Sequence, residues 1–391
     1  MLIPRRTSHY LTEIGKMFPV ISLTGPRQAG KTTLLRDLYP GYKYVSLENP
    51  DLRRQALDDP RSFLDEYNDQ VIFDEAQRWP ELFSYLQGMV DEDRRPGRFI
   101  LSGSQNFLLR KNITQTLAGR VGIVRLLPLD NEELYDSDLL PLDADKAIIR
   151  GFYPDLVKRG LATEPFFSSY MASYVERDVA ELVNWSNLDD FQRFIRIVAS
   201  YAGQNANFSK MSKDVGISLK TAQAWLGILE QSYLIFRLPA FFRNFGKRLV
   251  KTPKIYFYDT GLLCYLLEIF DPEELSVNRS KGAIFENFII ADAFKSFYHQ
   301  GHSPNFYFYR DKEKKEVDLL FERGNEAQLF EIKSAKQFRP GMIKNLDQVS
   351  SYWDRPTVTS LVYKGIDEHL VGKTMLRNWR NIRWRRKSST T

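Results

Sequence analysis

The chain has 391 residues, of which 43% are hydrophobic and 27% charged, and its formal net charge is +6. This composition is typical of a globular protein of two or three domains and excludes disordered, collagen-like and low-complexity chains. The sequence contains no apolar run of about 18 residues, so no membrane span is predicted. The polar N-terminus is not typical of a secretory signal. One cysteine, Cys264, excludes an internal disulfide and a cysteine-cluster metal site. We therefore expect a cytoplasmic protein with no membrane partner.

Short apolar runs alternate with amphipathic stretches in the first part of the chain. The runs predict five strands, at residues 19–24, 42–47, 70–73, 98–102 and 122–127. Strands that alternate with helices indicate a largely parallel sheet with helices on both faces. The acidic stretch at 130–145 is typical of a solvated domain boundary. We therefore expect a first α/β domain at residues 1–150.

A glycine-rich loop lies between the first predicted strand and the helix predicted after it. The loop Gly25–Thr32 matches the pattern G-x-x-x-x-G-K-[ST] at every fixed position. Its glycines let backbone N–H groups wrap a phosphate, and the helix N-terminus adds a positive dipole. In such a loop Lys31 reaches the β- and γ-phosphates, and the Thr32 hydroxyl binds Mg²⁺. The predicted nucleotide site comprises Gly25, Pro26, Arg27, Gln28, Ala29, Gly30, Lys31, Thr32 and Thr33.

Two carboxylates, Asp74 and Glu75, follow the third predicted strand. Ligands of open α/β folds bind at the carboxyl edge of the sheet, where this strand ends. We expect Asp74 to hold Mg²⁺, directly or through water, and Glu75 to polarise the attacking water. The next strand ends in small polar residues, and Ser104 is a candidate sensor of the γ-phosphate. An ordinary strand-end turn is the alternative for Ser104.

Further motifs accompany the loop and the two carboxylates along the chain. They are Leu101–Ser104, Ala118–Val121, Leu127–Asp130, Gly151–Pro154, Tyr174–Val179, Tyr256–Gly261 and Glu316–Asp318. The combination resembles the prokaryotic AAA-type P-loop ATPases that carry a C-terminal domain of unknown function. The resemblance covers nearly the whole chain and implies ATP and Mg²⁺ as cofactors. No guanine-reading N-K-x-D motif stands out, which agrees with ATP.

The resemblance also offers two arginines as candidates for contact with the γ-phosphate. Arg120 follows the predicted sensor strand by one helix, and the resemblance implies contact in its own or a neighbouring subunit. The second possibility requires a homo-oligomer. Arg177 is the other candidate. A surface salt bridge is the alternative for each arginine.

Residues 207–230 have the pattern of a helix–turn–helix. Ser209 is predicted to cap the first helix, Gly216 suits the tight turn, and Ser218 is predicted to cap the second helix. A predicted strand at 233–238 and a basic, aromatic segment follow. This order of elements indicates a winged helix.

The second helix of this module is a candidate for DNA contact. If it enters a DNA groove, Lys220, Thr221 and Gln223 face the bases or the backbone. The alternative is an architectural module, or an interaction lid, that does not contact DNA. We assign residues 151–275 to a helical linker that contains the winged-helix module.

The last third of the chain carries carboxylates on two predicted strands. A two-residue turn at Gly324–Asn325 predicts a hairpin between them. This hairpin places Asp318 opposite Glu331, with Lys333 on the same face. Two carboxylates at that spacing can share Mg²⁺, and the lysine can stabilise charge on a phosphate.

An Asp followed by Glu-x-Lys on the next strand is the signature of PD-(D/E)XK nucleases. Glu286, on the preceding helix, resembles the extra acidic residue of that fold, whereas the leading proline of the signature is absent before Asp318. A strand pair with a lysine–acid bridge is the alternative. We assign residues 276–391 to a PD-(D/E)XK nuclease-like domain that ends in a basic surface arm.

The predicted fold class is α/β, with a P-loop NTPase parallel sheet, a winged-helix helical module and a restriction-endonuclease-like α/β domain. The predicted function is ATP binding and hydrolysis coupled to nucleic-acid binding or cleavage, with DNA as a candidate partner. The alternative is an ATP-dependent signalling or toxin-linked switch whose C-terminal domain only recognises a protein partner. The predicted catalytic residues are Lys31, Glu75, Arg120 and Lys333, and the predicted metal ligands are Thr32, Asp74, Glu286, Asp318 and Glu331.

Overall fold

A computed structural model of the protein describes residues 2–103, 116–174, 179, 183, 187–241 and 252–384. The chain divides into two compact units. The first unit is built from the chain up to Leu129, together with short pieces at 231–233 and 298–302. The second unit contains the remaining residues, so the predicted middle and C-terminal segments lie in one unit. The boundaries predicted at 150/151 and 275/276 stay predictions.

The first unit is organised around a parallel five-stranded sheet in the order β2-β3-β4-β1-β5. The strands are β1 (Val20–Thr24), β2 (Lys43–Ser46), β3 (Val71–Asp74), β4 (Phe99–Gly103) and β5 (Val121–Arg125). All five predicted strands are confirmed within a few residues. Because the strands are parallel, their carboxyl ends meet at one edge, and the glycine-rich loop follows β1 at that edge.

Helices cover both faces of this sheet. They are α1 (Thr7–Gly15), α2 (Lys31–Leu38), α3 (Pro50–Asp58), α4 (Pro60–Glu66) and α5 (Leu82–Glu92). Ile72 of β3 packs in one buried core with Leu11 of α1, whereas Phe73 packs in a second core with Phe83 of α5. Strands buried on both faces have nearly continuous apolar sequences, which is the pattern of the predicted runs.

The second unit begins with helices and a small sheet. Its helices are α6 (Asn131–Asp136), α7 (Ala144–Arg150), α8 (Pro154–Arg159), α9 (Thr163–Tyr174), α10 (Leu188–Ser200), α11 (Phe208–Val215), α12 (Leu219–Gln231), α13 (Thr260–Leu266), α14 (Pro272–Val277), α15 (Lys281–His299) and α16 (Lys344–Ser350). Strands β6 (Ile235–Leu238) and β7 (Lys254–Phe257) pair antiparallel. Two helices followed by two paired strands have the order of a winged helix, and that assignment stays a prediction.

A mixed six-stranded sheet forms the other part of the second unit. Its strands are β8 (Phe306–Arg310), β9 (Glu316–Arg323), β10 (Glu326–Lys333), β11 (Thr357–Tyr363), β12 (Leu370–Val371) and β13 (Thr374–Asn378). Their order is β12-β13-β11-β10-β9-β8, with β11 parallel to both β10 and β13 and the other pairs antiparallel. β9 and β10 form the predicted hairpin, and Gly324 in its turn has a φ of +60°.

The predicted basic arm is packed into the second unit over most of its described length. Trp379 and Trp384 are buried, and Trp384 Nε1 donates to Asp292 Oδ2 at 2.9 Å. Arg380 Nη2 donates to the carbonyl of Leu140 at 2.9 Å. The expectation of a surface arm is therefore wrong as far as residue 384, because buried tryptophans alternate with the bases. Residues 385–391 lie outside the described residues.

Candidate functional site

The loop after β1 packs closely against the exit of β5. A Cβ atom on Gly25 would lie 1.9 Å from the carbonyl oxygen of Leu126, so only glycine fits there. Arg5 donates from Nη1 to Ala29 O at 2.8 Å and from Nη2 to Leu127 O at 2.6 Å. These contacts fix the glycine-rich loop against the segment that follows β5.

The lysine of the loop begins helix α2. Gly30 is the N-cap of this helix, with a φ of +91° that favours glycine. Lys31 is buried, and its Nζ donates to Gly25 O at 2.9 Å and to Pro26 O at 2.8 Å. The ammonium group is thus held inside the loop, beside a helix N-terminus of the kind that binds anions. Of the other loop residues, Pro26 and Ala29 are buried, Arg27 and Thr32 are half-buried, and Gln28 and Thr33 are exposed.

The carboxylate of Asp74 accepts four hydrogen bonds at the end of β3. Its Oδ2 accepts from Thr32 Oγ1 at 2.9 Å and from the Tyr44 hydroxyl at 2.5 Å. Its Oδ1 accepts from Ser102 Oγ and from the backbone N–H of Glu75 at 3.2 Å. A hydroxyl and a carboxylate in contact provide two hard oxygen ligands of the kind that Mg²⁺ prefers. The predicted residues Thr32 and Asp74 are therefore adjacent, and their chemistry fits this metal.

Sequence analysis missed Tyr44 and Ser102 as neighbours of Asp74. The two residues lie on β2 and β4, which flank β3 in the sheet. Burial, followed by the hydrogen bond to Asp74, raises the pKa of Tyr44 above its ordinary value. The guanidinium of Arg36 lies 4.0 Å from the centre of the Tyr44 ring. Nothing in the local pattern of a single strand reveals which strands flank it, so no sequence signal pointed to this pair.

Glu75 follows Asp74 in a left-handed backbone conformation, with a φ of +53°. This conformation is uncommon for residues other than glycine and is often found at functional sites. Gln77 Nε2 donates to Glu75 Oε2. The half-buried Glu75 carboxylate therefore lies one residue beyond Asp74 at the carboxyl edge of the sheet. The candidate sensor Ser104 lies outside the described residues.

Arg120 lies at the opposite edge of the same sheet. Its carbonyl accepts from Val20 N at 3.3 Å, at the start of β1, whereas the glycine-rich loop follows the end of that strand. A strand of this length spans about 16 Å. The guanidinium forms two hydrogen bonds with Asp91, at 2.7 and 2.8 Å. The expectation that Arg120 contacts the γ-phosphate of its own subunit is therefore wrong.

Contact between Arg120 and a neighbouring subunit stays a prediction. The second candidate, Arg177, lies outside the described residues. The error arose because the order of motifs along the chain does not show at which edge of a sheet a residue lies.

A second polar group forms on the β9–β10 hairpin. The observed register pairs Phe330 with Leu319, so that Glu331 comes next, opposite Asp318, as the two-residue turn predicts. Lys333 Nζ lies 2.5 Å from Glu331 Oε1 and 3.7 Å from Asp318 Oδ2. Asp318 Oδ2 also accepts from Ile332 N at 2.8 Å. The structure therefore brings the three predicted residues Asp318, Glu331 and Lys333 together.

The electrostatics of this group are those of crowded carboxylates. Burial, and then the charge of Asp318, raises the pKa of Glu331 to about 8. Burial alone would lower the pKa of Lys333, but the charges of Asp318 and Glu331 outweigh it and raise that pKa. Glu331 Oε2 is buried and has no hydrogen-bond partner among the residues that the structure describes. An orphaned carboxylate oxygen beside a second carboxylate fits a divalent cation.

Glu286 is held by a lysine that sequence analysis did not select. Its Oε1 accepts from Lys254 Nζ at 2.9 Å and from the Tyr256 hydroxyl at 2.5 Å. Lys254 is buried and also lies 2.6 Å from Glu316 Oε1. Burial chiefly, against the attraction of Lys254, raises the pKa of Glu286 to about 7.

Glu286 therefore does not complete a set of three metal ligands. Within the described ranges, Glu286, Asp318 and Glu331 do not form a group whose carboxylate oxygens all lie within 4.8 Å of one another. The expectation that Glu286 joins the other two is wrong for this structure, because Lys254 and Tyr256 of β7 bind it instead. We use the name carboxylate cluster for Glu286, Glu316, Asp318 and Glu331 with the lysines Lys254 and Lys333.

The helix–turn–helix segment has one of its two predicted caps. Ser218 Oγ accepts from Thr221 N at 3.0 Å, so Ser218 caps α12 as predicted. Asn207, not Ser209, caps α11, because its Oδ1 accepts from Lys210 N at 3.0 Å. Gly216 has a φ of +87° in the turn, as predicted for the glycine of a tight turn.

The three residues chosen for a DNA groove differ in their surroundings. Lys220 and Gln223 are exposed on α12. Thr221 Oγ1 lies 2.8 Å from Ser218 Oγ, so this hydroxyl is engaged at the cap. DNA contact by α12 stays a prediction, which rests on Lys220 and Gln223.

In the part of the chain that the structure describes, no helix is both long and apolar enough to span a membrane.

Three family models match successive parts of the chain. A model described as an AAA domain matches residues 17–135. Two models described as domains of unknown function, DUF8612 and DUF4143, match residues 142–273 and 281–377. The first match contains the glycine-rich loop together with Asp74 and Glu75. An AAA-type P-loop ATPase domain is therefore present.

Solved structures that match the chain include the following three proteins, each with a TM-score below 0.5. The Walker-type ATPase of Pyrococcus abyssi is 17% identical, with a TM-score of 0.41, and the match covers 68% of this chain and 96% of that one. The AMPPCP-bound DnaA of Aquifex aeolicus is 15% identical, with a TM-score of 0.32, and the match covers 57% and 84%. The ADP form of the ORC2 protein of Aeropyrum pernix is 16% identical, with a TM-score of 0.31, and the match covers 59% and 84%.

Two curated relatives are similar over most of the chain. They are uncharacterized proteins of Mycobacterium tuberculosis and Mycobacterium bovis. Each is 33% identical over 339 residues, which cover 85% of this chain and 74% of the relative. The chain therefore belongs to the family of these two mycobacterial proteins, with an AAA-type P-loop ATPase domain in its first unit.

Proposed function

We propose that the protein binds ATP with Mg²⁺ at the loop Gly25–Thr32 and hydrolyses the bond between its β- and γ-phosphates. One observation carries the proposal: Thr32 Oγ1 lies 2.9 Å from Asp74 Oδ2, which brings the hydroxyl of the loop into contact with the carboxylate at the end of β3. Lys31, at the start of the same helix, supplies the positive charge. This combination of a hydroxyl, a carboxylate and an ammonium is the set that P-loop NTPases use for Mg²⁺ and phosphates.

The residues of the chain have separate tasks in this reaction. Backbone N–H groups of the loop bind the phosphate oxygens, and Lys31 donates to the β- and γ-phosphates. Thr32 and Asp74 would hold the metal ion. Mg²⁺, when bound, neutralises charge on the phosphate oxygens. Glu75 orients the attacking water and accepts its proton, and Ser104 is the proposed γ-phosphate sensor.

The direct test is an ATPase assay on the full chain with and without Mg²⁺, and with and without DNA. Hydrolysis that requires Mg²⁺ supports the assignment. Stimulation by DNA supports coupling to nucleic acid. Hydrolysis at the same rate in EDTA contradicts the roles given to Thr32 and Asp74.

The carboxylate cluster favours a second activity, metal-dependent cleavage of nucleic acid. The supporting observation is the buried Glu331 Oε2, which lies beside Asp318 and has no partner within the described part of the chain, with Lys333 2.5 Å from the other oxygen of Glu331. Asp318 and Glu331 would hold the cation, and Lys333 would stabilise charge on the phosphate. Labelled plasmid incubated with Mg²⁺ or Mn²⁺ tests this activity. Nicking that is lost in Lys333→Ala supports cleavage, and no nicking with either metal contradicts it.

The alternative is an ATP-dependent switch whose second unit only recognises a partner protein or a second copy of the chain. One observation favours it: Lys254 supplies a positive charge between Glu286 and Glu316. A nuclease fold stabilised in this way can persist without cleaving. ATP hydrolysis without nicking or DNA stimulation is the result that this alternative predicts.

A further inference from the structure

The second unit contains a cavity of about 370 Å³ that the proposed activities do not use. Six of the residues that line it carry the argument: Tyr201, Asn205, Lys210, Lys254, Arg310 and Glu316. A volume of this size is in the range of small-ligand pockets. The lining comes from the segment between α10 and α11, from the start of α11, from β7, and from the adjacent ends of β8 and β9.

One wall of this cavity is fixed by backbone hydrogen bonds. Gly203 N donates to Ile255 O at 2.8 Å, and Ala206 N donates to Pro253 O at 2.9 Å. Asn205 forms an antiparallel bridge with Lys254. The segment between the two helices is therefore pinned along β7, and the wall is preformed rather than assembled by a ligand.

Two lining residues carry buried polar atoms without a partner. The hydroxyl of Tyr201 and Oδ1 of Asn205 have no hydrogen-bond partner among the described residues. A buried polar atom without a partner costs about 1–3 kcal/mol, so such atoms normally meet water, an ion or a ligand. Both residues also contribute to the lining of the cavity.

The charges around the cavity favour an anionic ligand. Lys210, Lys254 and Arg310 face one carboxylate, Glu316, on the lining. Lys210 Nζ lies 6.0 Å from the centre of the Tyr201 ring, and Arg310 Nη1 lies 3.2 Å from Glu316. Lys254 is engaged by Glu286 and Glu316, and Arg310 is paired with Glu316, so a ligand would bind Lys210 directly and would share Arg310 with that carboxylate.

An aromatic ring, an amide oxygen and two cations form the chemistry that recognises a nucleotide unit. Aromatic side chains stack on bases, and lysine and arginine bind phosphates. The cavity also adjoins the carboxylate cluster, because Lys254 and Glu316 belong to both. Asp318 follows Glu316 by two residues on β9. A nucleotide in the cavity therefore places the next unit of its strand beside the proposed metal-binding carboxylates.

We infer that this cavity binds one nucleotide of a single-stranded nucleic acid, with Lys210 and Arg310 on its phosphate and with Tyr201 and Asn205 on its base or sugar. The inference rests on the proposed nucleic-acid function and identifies the cavity as the subsite that would hold the strand. A base in a duplex is stacked on both faces and paired along one edge, so a cavity of this volume takes only an unpaired one.

The test is the affinity of the full chain for a fluorescein-labelled oligothymidylate of about 12 nucleotides, measured by anisotropy in EDTA. EDTA removes Mg²⁺-dependent cleavage and hydrolysis from the readout. Lys210→Glu is expected to weaken binding about tenfold or more, and to flatten the salt dependence by about 0.7 in slope for the lost phosphate contact. Tyr201→Phe and Asn205→Leu are expected to weaken binding less, since each removes one hydrogen bond.

Lys213→Glu is the matched control, because Lys213 is also exposed on α11 and does not line the cavity. It changes the net charge equally and is expected to alter affinity by less than about threefold, as an exposed charge away from the strand does. Equal losses in Lys210→Glu and Lys213→Glu overturn the inference. An oligonucleotide that carries 5-iodouracil provides a second readout: a photo-crosslink mapped to Tyr201 supports the inference, and crosslinks confined to α12 overturn it.

Competition with free thymidine monophosphate distinguishes a strand from a free nucleotide. Equal affinity for the oligonucleotide and for thymidine monophosphate would show that the cavity binds a free nucleotide and would overturn its role in binding a strand. The outcomes also separate this inference from the proposed cleavage. A selective loss in Lys210→Glu without any nicking keeps the cavity and removes the nuclease, whereas nicking with equal losses in the two variants removes the cavity and keeps the nuclease.

Discussion

The two polar centres of this protein hold an aspartate and a lysine in opposite ways. In the first unit, neutral hydroxyl and N–H donors surround Asp74, and backbone carbonyls hold Lys31. In the second unit, the carboxylate cluster places four acids around Lys254 and Lys333. In the first centre, uncharged dipoles hold Asp74 and Lys31, so both side chains can still bind charged groups of a ligand. The second already pairs its acids with two internal lysines, so any metal ion must compete with those lysines.

The largest effect is expected from Lys31→Ala, which removes the ammonium from the loop. Without it the β- and γ-phosphates lose their cation, so we expect nucleotide binding to be abolished. Isothermal titration with ATP and Mg²⁺ measures the effect. Arg36→Ala is the control, because Arg36 is exposed on the same helix and contacts Tyr44 instead. Retained ATP affinity in Lys31→Ala would contradict the difference drawn between the two centres.

Lys254→Met tests whether the second centre is stabilised by its internal cation. The change leaves Glu286 and Glu316 without their buried partner, which typically costs about 3–5 kcal/mol of stability. Urea unfolding followed by tryptophan fluorescence measures the change. Lys213→Met, at an exposed position, is the matched control. Adding Glu286→Gln to Lys254→Met is expected to recover part of the loss, and equal stability of the two methionine variants would show that Lys254 is not needed.

Glu75→Gln addresses chemistry rather than binding at the first centre. The amide cannot accept the proton of water, so we expect turnover to fall about 10²-fold or more while ATP binding is retained. Single-turnover hydrolysis and a binding titration separate the two quantities. Gln77→Ala removes the partner of Glu75 but no acid, and is expected to have a smaller effect. Wild-type turnover in Glu75→Gln would mean that another residue activates the water.

A smaller effect is expected from Tyr44→Phe, which removes one of the four donors to Asp74. Substitution of a residue that orients a metal ligand typically changes metal affinity by about 10–100-fold. Because Tyr44 is one neutral donor of four, an effect near the lower limit is expected. The Mg²⁺ concentration for half-maximal ATPase activity is the measurement. Tyr42→Phe is the control, because the Tyr42 hydroxyl donates to Gly97 O, away from Asp74. An unchanged Mg²⁺ requirement in Tyr44→Phe would mean that Asp74 needs no support from β2.

The sequence predicted features that depend on neighbours along the chain. The five parallel strands, the loop Gly25–Thr32 and the Asp318–Glu331 pairing each follow from a contiguous pattern or from one tight turn. Residues whose roles depend on the order of strands were missed, since that order is a property of the whole sheet. Tyr44 reaches Asp74 only because β2 lies beside β3, and Lys254 reaches Glu286 only because β7 and α15 meet.

The same limitation explains the two residues whose contacts were wrongly expected. Arg120 follows the sensor strand in sequence, but it immediately precedes β5 and therefore lies at the amino edge of the sheet. Glu286 was matched to a nuclease position by type and spacing, without its partner Lys254. Strands β12 and β13 were not predicted, because β12 has two residues and β13 has a single pair of apolar residues, Met375 and Leu376, among polar ones.

The position of β1 in its sheet has a consequence for folding. β1 lies between β4 and β5, both of which are synthesised later. The wall behind Gly25 is the carbonyl of Leu126, and Arg5 closes its contact with Leu127 across 122 positions of the chain. Non-local contacts of this kind form late and slowly. A nascent chain that ends before β5 therefore holds the complete glycine-rich motif but leaves one edge of β1 unpaired, open to chaperones or to other strands until β5 is made.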